Sequence, residues 1–266
     1  ELRQLELGER PADPLPVRTP TLETTRDCWR EAVTLAPDRL AVVDGETRLT
    51  YAEADARVMQ VAHALRAATG VARPAVAVYM PNGLEYYLLY WAVQALGGVI
   101  VPLNTWLKSE SLLGIFGTVQ PDLLCLRPGA QPASVLHVAK SLNTPMLHVS
   151  AAPTGDPLPP EACPPLSGDD LSIIMHTSGT TATPKGAMMR HRDLMFNVCA
   201  AINAHAFSPR DVHLLVNPMF HCTALYSSLP TAAYQQAPVV ITASSEPEDL
   251  LRLVQRERIT TFLSVP

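Results

Sequence analysis

The chain has 266 residues, with 20 Lys and Arg against 25 Asp and Glu and a formal net charge of −5. This acidic balance argues against a protein that binds nucleic acid through its phosphates, because such proteins present a basic face. Apolar residues make up 47% and charged residues 17%, which excludes disorder of the whole chain and allows a sizeable core. The five cysteines are widely spaced and include no C-x-x-C pair, so we expect a reduced, cytoplasmic protein.

The 25 prolines cluster in two regions of the chain. We expect residues 1–20 to form an extended, proline-rich leader, and residues 145–165 to form either a linker or a long surface crossover. Residues 86–107 carry no charge and are long enough to span a membrane. Because two adjacent glycines and a proline interrupt them, we predict a helix, a turn and a strand there, and no membrane span.

Helical and strand-like patterns alternate between these regions. Thr50 and Glu53 form a capping box ahead of apolar residues at helical spacing. The further elements predicted are strands at 75–79, 99–101, 122–126, 171–175, 212–216, 238–242 and 261–265, and helices at 84–96, about 191–206, about 221–234 and after a cap at Ser245. Apolar strands separated by helices predict an α/β fold with parallel-rich sheets sandwiched by helices. The last five residues have the pattern of a buried strand, and no later residues are present to cover it. We therefore expect that the polypeptide ends within a folded domain.

The run from His176 to Gly186 follows a predicted strand directly and reads His-Thr-Ser-Gly-Thr-Thr-Ala-Thr-Pro-Lys-Gly. Gly179 lets the backbone turn and approach a ligand closely, and Lys185 adds a compact positive charge. The run is not a Walker A loop, because Lys185 lies six residues after Gly179 and is followed by Gly186. A Ser- and Thr-rich surface turn is the alternative interpretation. The hydroxyls, the lysine and the preceding buried strand favour a loop that binds a polyphosphate.

This loop resembles the signature loop of the adenylate-forming enzymes, which comprise acyl- and aryl-CoA synthetases, luciferases and the adenylation domains of peptide synthetases. Blocks at 37–45, 49–53, 78–82, 97–104 and 218–221 resemble the same family. The resemblance covers about Thr21 to Pro266. It implies that residues 21–266 form an incomplete large N-terminal domain, and that the C-terminal lid domain of the family is absent from the chain.

The resemblance implies ATP-dependent activation of a carboxylic acid, which yields an acyl-adenylate and pyrophosphate and then a thioester with CoA. Mg²⁺ would bridge the phosphates of ATP. The catalytic residues implied are Lys185 and His221. The residues implied to hold the phosphates are Thr177, Ser178, Gly179, Thr180, Thr181, Thr183 and Lys185. Ala182 departs from the family, which has Gly there; if that position needs a positive φ, alanine costs roughly 1–2 kcal/mol, so we expect lower nucleotide affinity.

A second implied site surrounds His221. In the acyl- and aryl-CoA branch, a histidine after Pro-x-Phe lies at the mouth of the acid pocket near the α-phosphate, and His221 takes this place. Phe220, Cys222 and Tyr226 would line the pocket. The alternative is a partly buried histidine that caps the following helix. Because residues 212–245 contain no Asp or Glu to pair with an ammonium group, we expect a small carboxylic acid that lacks an α-ammonium group.

Two other functions remain open at this point. One is a non-catalytic module of the same family that binds nucleotide or a partner, which Ala182 favours. The other is an acyl-AMP ligase that loads a carrier protein instead of CoA. The adenine, ribose, metal-binding and lid-lysine blocks of the family are not among these residues, so we expect the isolated chain to be inactive or nearly so. No metal site is predicted, because the spacings of the Cys and His residues between Cys199 and Cys222 match no zinc pattern.

Overall fold

The structure is a computed structural model that describes residues 19–130, 132–176 and 184–264. The predicted leader therefore lies outside the described residues except for its last two. In chain order the strands are β1 (Leu40–Asp44), β2 (Thr47–Thr50), β3 (Ala75–Tyr79), β4 (Val99–Pro102), β5 (Leu123–Leu126), β6 (Met146–His148), β7 (Leu171–His176), β8 (Gly186–Arg190), β9 (His213–Leu215), β10 (Val239–Ile241) and β11 (Thr261–Phe262). The α-helices are α1 (Thr25–Leu35), α2 (Tyr51–Thr69), α3 (Leu84–Leu96), α4 (Ser109–Val119), α5 (Ala133–Ser141), α6 (His191–His205), α7 (Leu229–Tyr234) and α8 (Pro247–Glu257), with a 3₁₀ turn at Pro160–Ala162 and a π-helix at Thr223–Ser228.

These strands form two sheets. The larger sheet has the order β6-β5-β3-β4-β7-β8, and the smaller sheet has the order β11-β9-β10-β1-β2. Neighbouring strands are parallel except in the pairs β1–β2 and β7–β8. The helix α3 contacts β4 of the larger sheet and β1 of the smaller sheet, and all of its residues are buried. The predicted α/β fold with two parallel-rich sheets flanked by helices is confirmed.

Local sequence signals set several boundaries as predicted. The Thr50 hydroxyl accepts from the Glu53 N–H, and the Glu53 carboxylate accepts from the Thr50 N–H, so the capping box forms at the start of α2. The predicted bounds of α3 are confirmed, and the helix ends at Gly97, whose φ of 64° lies in the left-handed region that favours glycine. Among the helices in the described ranges, none combines the length and apolar character of a membrane span.

The helix predicted at about 221–234 is found and ends at Tyr234, but its first part is not α-helical. It begins at Thr223 and opens as a π-helix, after which the Leu229 N–H donates to the carbonyl oxygen of Ala224. Pro230 gives a physical reason for this widened turn. Proline has no N–H to donate, and its ring crowds the carbonyl four residues earlier.

Two predictions near the end of the chain are wrong. The helix α8 has Glu246 rather than Ser245 at its N-cap, and no side chain caps it. Ser244 instead accepts a hydrogen bond from the Glu246 N–H (3.2 Å). The last strand covers only Thr261–Phe262 at the edge of the smaller sheet, and Phe262 is 54% exposed, so the expected burial is not found.

The proline-rich segment after β6 is packed against α2. Four side chains at three-residue spacing on α2 donate to its backbone carbonyl oxygens. The donors are Arg57, Gln60, His63 and Arg66, and the acceptors are in Ala151, Gly155, Asp156 and Ala162. Prolines leave a segment with carbonyl acceptors but few N–H donors, so side-chain donors are the partners that such a segment needs. The segment therefore forms a surface crossover between β6 and β7 rather than a free linker.

Candidate active site

A cleft with a volume of about 310 Å³ opens where strands of both sheets end. In the larger sheet, β4 and β7 are parallel neighbours, and the loop after β9 of the smaller sheet contributes the opposite wall. The described residues that line the cleft are Pro102, Asn104, Leu107, Met175, His176, Pro184, Phe220, His221 and Cys222. Open α/β sheets bind their ligands at the carboxyl ends of the strands, which makes this cleft the candidate active site.

A tight turn presents His221 to the cleft. The His221 N–H donates to the Pro218 carbonyl oxygen (2.8 Å). The His221 imidazole is exposed, and its Nδ1 lies 3.4 Å from the Cys222 sulfur. The ring of Phe220 packs edge-on against that of Trp106, with centroids 5.6 Å apart. The backbone of the turn is thus fixed by local contacts, while the imidazole remains available to a ligand.

Asn82 holds this turn in place from the other sheet. The residue follows β3 and is 8% exposed. Its amide nitrogen lies 3.0 Å from the Asn217 carbonyl oxygen and 3.1 Å from that of Thr242, and its amide oxygen accepts from the Met219 N–H (2.7 Å). One side chain therefore joins the larger sheet to the two loops that follow β9 and β10. Sequence reasoning assigned no role to Asn82 itself, although the block at 78–82 that resembles the adenylate-forming enzymes ends at this residue.

The predicted phosphate loop begins and ends at this cleft. Residues 177–183 lie outside the described residues, but both of their flanks are described. His176 at the end of β7 is paired with Gly186 at the start of β8, and Pro184 lines the cleft next to the exposed Lys185. A Cβ added at Gly186 would lie 2.8 Å from Cγ2 of Ile174 and 3.1 Å from the Nε2 atom of His176. Gly186 thus permits the close approach of β8 to the end of β7.

The described lining of the cleft is apolar apart from two imidazoles, one amide and one thiol. Nδ1 of His176 is buried and has no hydrogen-bond partner among the described residues. Burial lowers the pKa of His176, so this imidazole is neutral at neutral pH. None of the described lining residues carries a carboxylate. The described lining can therefore take an apolar body, and it offers no counter-charge to an ammonium group.

The structure brings together some of the predicted site residues. Phe220, His221 and Cys222 line one cleft, and Lys185 follows a residue that lines it. The predictions for Thr177, Ser178, Gly179, Thr180, Thr181 and Thr183, and for the departure at Ala182, fall outside the described residues. Tyr226 is not among the lining residues: it packs against the main core, and its buried hydroxyl has no described partner. Burial raises the pKa of Tyr226 to about 12, so the phenol is neutral at neutral pH.

The histidines and cysteines of residues 199–222 do not assemble into a metal centre. Within the described ranges, no group of three or more His, Cys, Asp or Glu is placed to hold an ion. Instead His205 stacks on Phe207, and His213 packs edge-on against the same ring. Both histidines therefore pack against the ring of Phe207, and Nδ1 of His213 also lies 2.9 Å from the Thr261 hydroxyl.

Comparison with known proteins finds a family and several relatives that this chain resembles. Residues 29–266 match the family described as AMP-binding enzyme. Feruloyl-CoA synthase of an Amycolatopsis species is 31% identical over 233 residues, which cover 87% of this chain and 46% of that protein. Long-chain-fatty-acid–CoA ligase FadD13 of Mycobacterium tuberculosis is 29% identical over 248 residues, covering 89% of this chain and 48% of that protein. The chain therefore spans about half the length of these curated relatives.

A solved structure agrees with the fold. The structure described as a putative long-chain-fatty-acid CoA ligase from Rhodopseudomonas palustris superposes with a TM-score of 0.79 at 23% identity, covering 91% of this chain and 63% of that one. At this identity the likeness shows the fold alone. The family match covers most of the chain, and it includes the strands, the His221 turn and the segment between β7 and β8. The chain belongs to the family of AMP-binding enzymes.

Proposed function

We propose that the protein containing this chain activates a carboxylic acid with ATP and then forms a thioester with CoA. One observation carries the proposal: the His221 turn and both ends of the predicted phosphate loop meet at the same cleft. An acid and a triphosphate must meet there for the reaction to occur. Residues 21–266 would then form an incomplete large domain, since the curated relatives are about twice as long.

In the first step, an oxygen of the acid attacks the α-phosphorus of ATP, and the bond from that phosphorus to the bridging oxygen of pyrophosphate breaks. His221 would donate to the acid or to the α-phosphate as negative charge concentrates there, and Lys185 would bind the departing pyrophosphate. In the second step, the CoA sulfur attacks the acyl carbon and AMP leaves. Mg²⁺ accompanies ATP as its phosphate complex; because the described lining contains no carboxylate, we assign it no protein ligand.

The proposed substrate is an apolar monocarboxylic acid without an α-ammonium group. Pro102, Leu107, Met175 and Phe220 form apolar walls, and no described lining residue could neutralise an ammonium group. The volume of about 310 Å³ suits an acid of aryl or medium-chain size. The names of two relatives include an aryl and a fatty acyl group, since one is a feruloyl-CoA synthase and the other a long-chain-fatty-acid–CoA ligase.

The test measures acid-dependent exchange of pyrophosphate into ATP, on the 266-residue chain and on the gene product that contains it. We expect exchange by the gene product with an apolar acid, and little or none by the chain alone. Lys185→Ala and His221→Ala should each lower exchange by roughly 10²–10³-fold, the usual cost of removing a group that stabilises developing charge. Lys140→Ala and His137→Ala are matched controls on the exposed surface of α5 and should leave exchange unchanged.

Other outcomes separate the alternatives. If the gene product binds ATP but exchanges no pyrophosphate with any acid, the ligase proposal is wrong and a nucleotide-binding module is the better description. If it exchanges pyrophosphate but releases AMP only with an acyl carrier protein and not with CoA, the acceptor part of the proposal is wrong. Ala182→Gly addresses the departure in the phosphate loop, and tighter ATP binding by that variant is expected.

A further inference from the structure

Trp106 is an exposed tryptophan at the rim of the candidate active site. It is 77% exposed, whereas Trp29 and Trp91 are 2% and 1% exposed. Asn104 and Leu107, on either side of it in the loop after β4, both line the cleft. A single exposed apolar residue needs no explanation in itself. The position of Trp106 beside the cleft, and the contacts that hold it there, give it a meaning.

Hydrogen bonds fix the loop that carries Trp106. The side-chain oxygen of Asn104 accepts from the Trp106 N–H (2.9 Å), and its carbonyl oxygen accepts from the Leu107 N–H (3.1 Å). From the end of β3, the Tyr79 hydroxyl donates to the Thr105 carbonyl oxygen (2.7 Å). The indole is therefore held in position before any ligand arrives, so a ligand that stacks on it loses little binding free energy to ordering the protein.

Trp106 and Phe220 form an aromatic pair that joins the two walls of the cleft. Trp106 follows β4 of the larger sheet, and Phe220 lies in the turn after β9 of the smaller sheet. Their ring planes are 84° apart. An edge-on partner covers one face of the indole at most, which agrees with the large exposed fraction of Trp106. A flat ring that enters beside Phe220 therefore meets an open indole face.

We propose that Trp106 is a specificity-determining residue that stacks on the ring of an aryl acid whose carboxylate lies at His221. The inference rests on the proposed ligase function and narrows its substrate from apolar acids in general to acids with an aromatic ring. Phe220 directly precedes His221 and both line the cleft, so the body of an acid held at His221 lies against Phe220 and beside the indole. An indole favours a planar ring over an alkyl chain, which has no π face and loses more rotational freedom on binding.

Acid-dependent exchange of pyrophosphate by the gene product tests this with two acids of equal carbon number, phenylpropanoate and nonanoate. Trp106→Ala should raise KM for phenylpropanoate about tenfold, as expected for the loss of one stacked ring, and change KM for nonanoate by less than about twofold. Trp106→Phe restores a ring and should recover most of the affinity for phenylpropanoate. Phe196→Ala removes a ring that is 69% exposed on α6, outside the described lining, and should change neither KM. A merely structural role of Trp106 would raise both KM values together.

Quenching of tryptophan emission by acrylamide provides a measurement that needs no catalysis. The part of the quenching that Trp106→Phe removes belongs to Trp106, because this residue is exposed while Trp29 and Trp91 are buried. With an ATP analogue that cannot be cleaved, phenylpropanoate should shield Trp106 from acrylamide in a saturable manner, and nonanoate should shield it less.

The outcomes separate this inference from the ligase proposal. The inference alone is overturned if Trp106→Ala raises KM for both acids equally, or if nonanoate supports exchange and phenylpropanoate does not. It is also overturned if acrylamide cannot reach Trp106 before an acid is added, because another part of the gene product then covers the indole. If no acid supports exchange, the ligase proposal is wrong, and the absence of shielding by phenylpropanoate would overturn the stacking as well.

Discussion

Asn82 is the residue that makes the position of His221 depend on both sheets. Its amide oxygen binds the Met219 N–H, two residues before His221, and its amide nitrogen binds carbonyl oxygens of the loops after β9 and β10. All these partners are buried or half-buried, so their loss would leave polar groups without partners. The His221 turn is thus held by a residue more than a hundred positions away in the chain.

His191 is a second buried polar residue, and it predicts how stability depends on pH. It is 0% exposed, its Nδ1 lies 2.8 Å from the Thr25 hydroxyl, and its Nε2 has no partner among the described residues. Burial lowers the pKa of His191 to about 4, although Asp170 opposes part of this effect. The folded protein therefore holds the neutral imidazole, while the unfolded chain takes up a proton near its ordinary pKa of about 6.5.

This difference in proton uptake sets the direction in which the stability changes with pH. Above pH 6.5, His191 does not change the free energy of unfolding. Between pH 6.5 and 4 its effect lowers that free energy as the pH falls, because only the unfolded state gains the proton. At pH 5 the loss from His191 is about 2 kcal/mol, from 1.4 kcal/mol per pH unit. Urea unfolding at pH 7 and pH 5 measures it. His191→Gln should reduce the difference between the two pH values, whereas His137→Gln on the exposed face of α5 should leave it intact. An equal loss in both variants would contradict the assignment.

At the scale of elements, the sequence allowed accurate prediction where a local signal marks a boundary. The capping box at Thr50 and the glycine after α3 are such signals, and they gave the start of α2 and the end of α3. The strand β8 was not predicted, because its five residues, Gly-Ala-Met-Met-Arg, show no alternation of apolar and polar residues, and because it pairs with β7 across the predicted phosphate loop. The π-helix was also missed, since a proline inside an apolar run does not reveal how the chain will accommodate it.

The candidate site could be predicted only in part, and for a related reason. The loop from His176 to Gly186 and the residues around His221 are contiguous runs, so their composition and resemblance are legible in the sequence. The role of Asn82 is not, because its partners lie 134 or more positions away and are backbone groups of any residue type. Tyr226 was assigned to the pocket because it lies close to His221 in the sequence, but it belongs to the π-helix and packs against the main core instead of lining the cleft.

Two glycines in different elements predict opposite effects of the same substitution. Gly186→Ala in β8 should move the His176 imidazole, because the new Cβ would lie 3.1 Å from its Nε2. We expect weaker binding of ATP or pyrophosphate, with a stability loss of about 1 kcal/mol. Gly117→Ala in α4 adds a Cβ with nothing within 4 Å, and should raise stability by about 0.5–1 kcal/mol without affecting binding.

Calorimetric titration and urea unfolding of both glycine variants separate the two effects. The prediction for β8 would be contradicted by a Gly186→Ala variant that binds pyrophosphate as tightly as the parent chain. A parallel loss of binding in Gly117→Ala would show that the assay responds to any glycine substitution. The pair thus tests whether space beside His176, rather than backbone freedom in general, is what the site requires.

At the scale of the whole molecule, the two sheets are tied together by α3 and by polar contacts at the strand ends. The Asp44 carboxylate at the end of β1 accepts from the Leu84 N–H at the start of α3 (2.8 Å), so the smaller sheet caps the helix that packs on the larger one. The crossover adds a further connection, because it joins two strands of the larger sheet and bonds to α2, which contacts β1 and β2 of the smaller sheet. These ties predict that the described part of the chain unfolds as one unit.

A substitution in the crossover tests whether it unfolds together with the rest of the described chain. Leu158 is 6% exposed, and its N–H donates to the Met59 carbonyl oxygen (2.9 Å), so the crossover contributes a side chain to the main core. Leu158→Ala should lower the free energy of unfolding by about 2–3 kcal/mol while the transition stays single and cooperative. Leu142→Ala, at a position 44% exposed, should cost well under 1 kcal/mol. If urea unfolding shows the same small loss for both variants, the crossover behaves as a free linker and not as part of the folded unit.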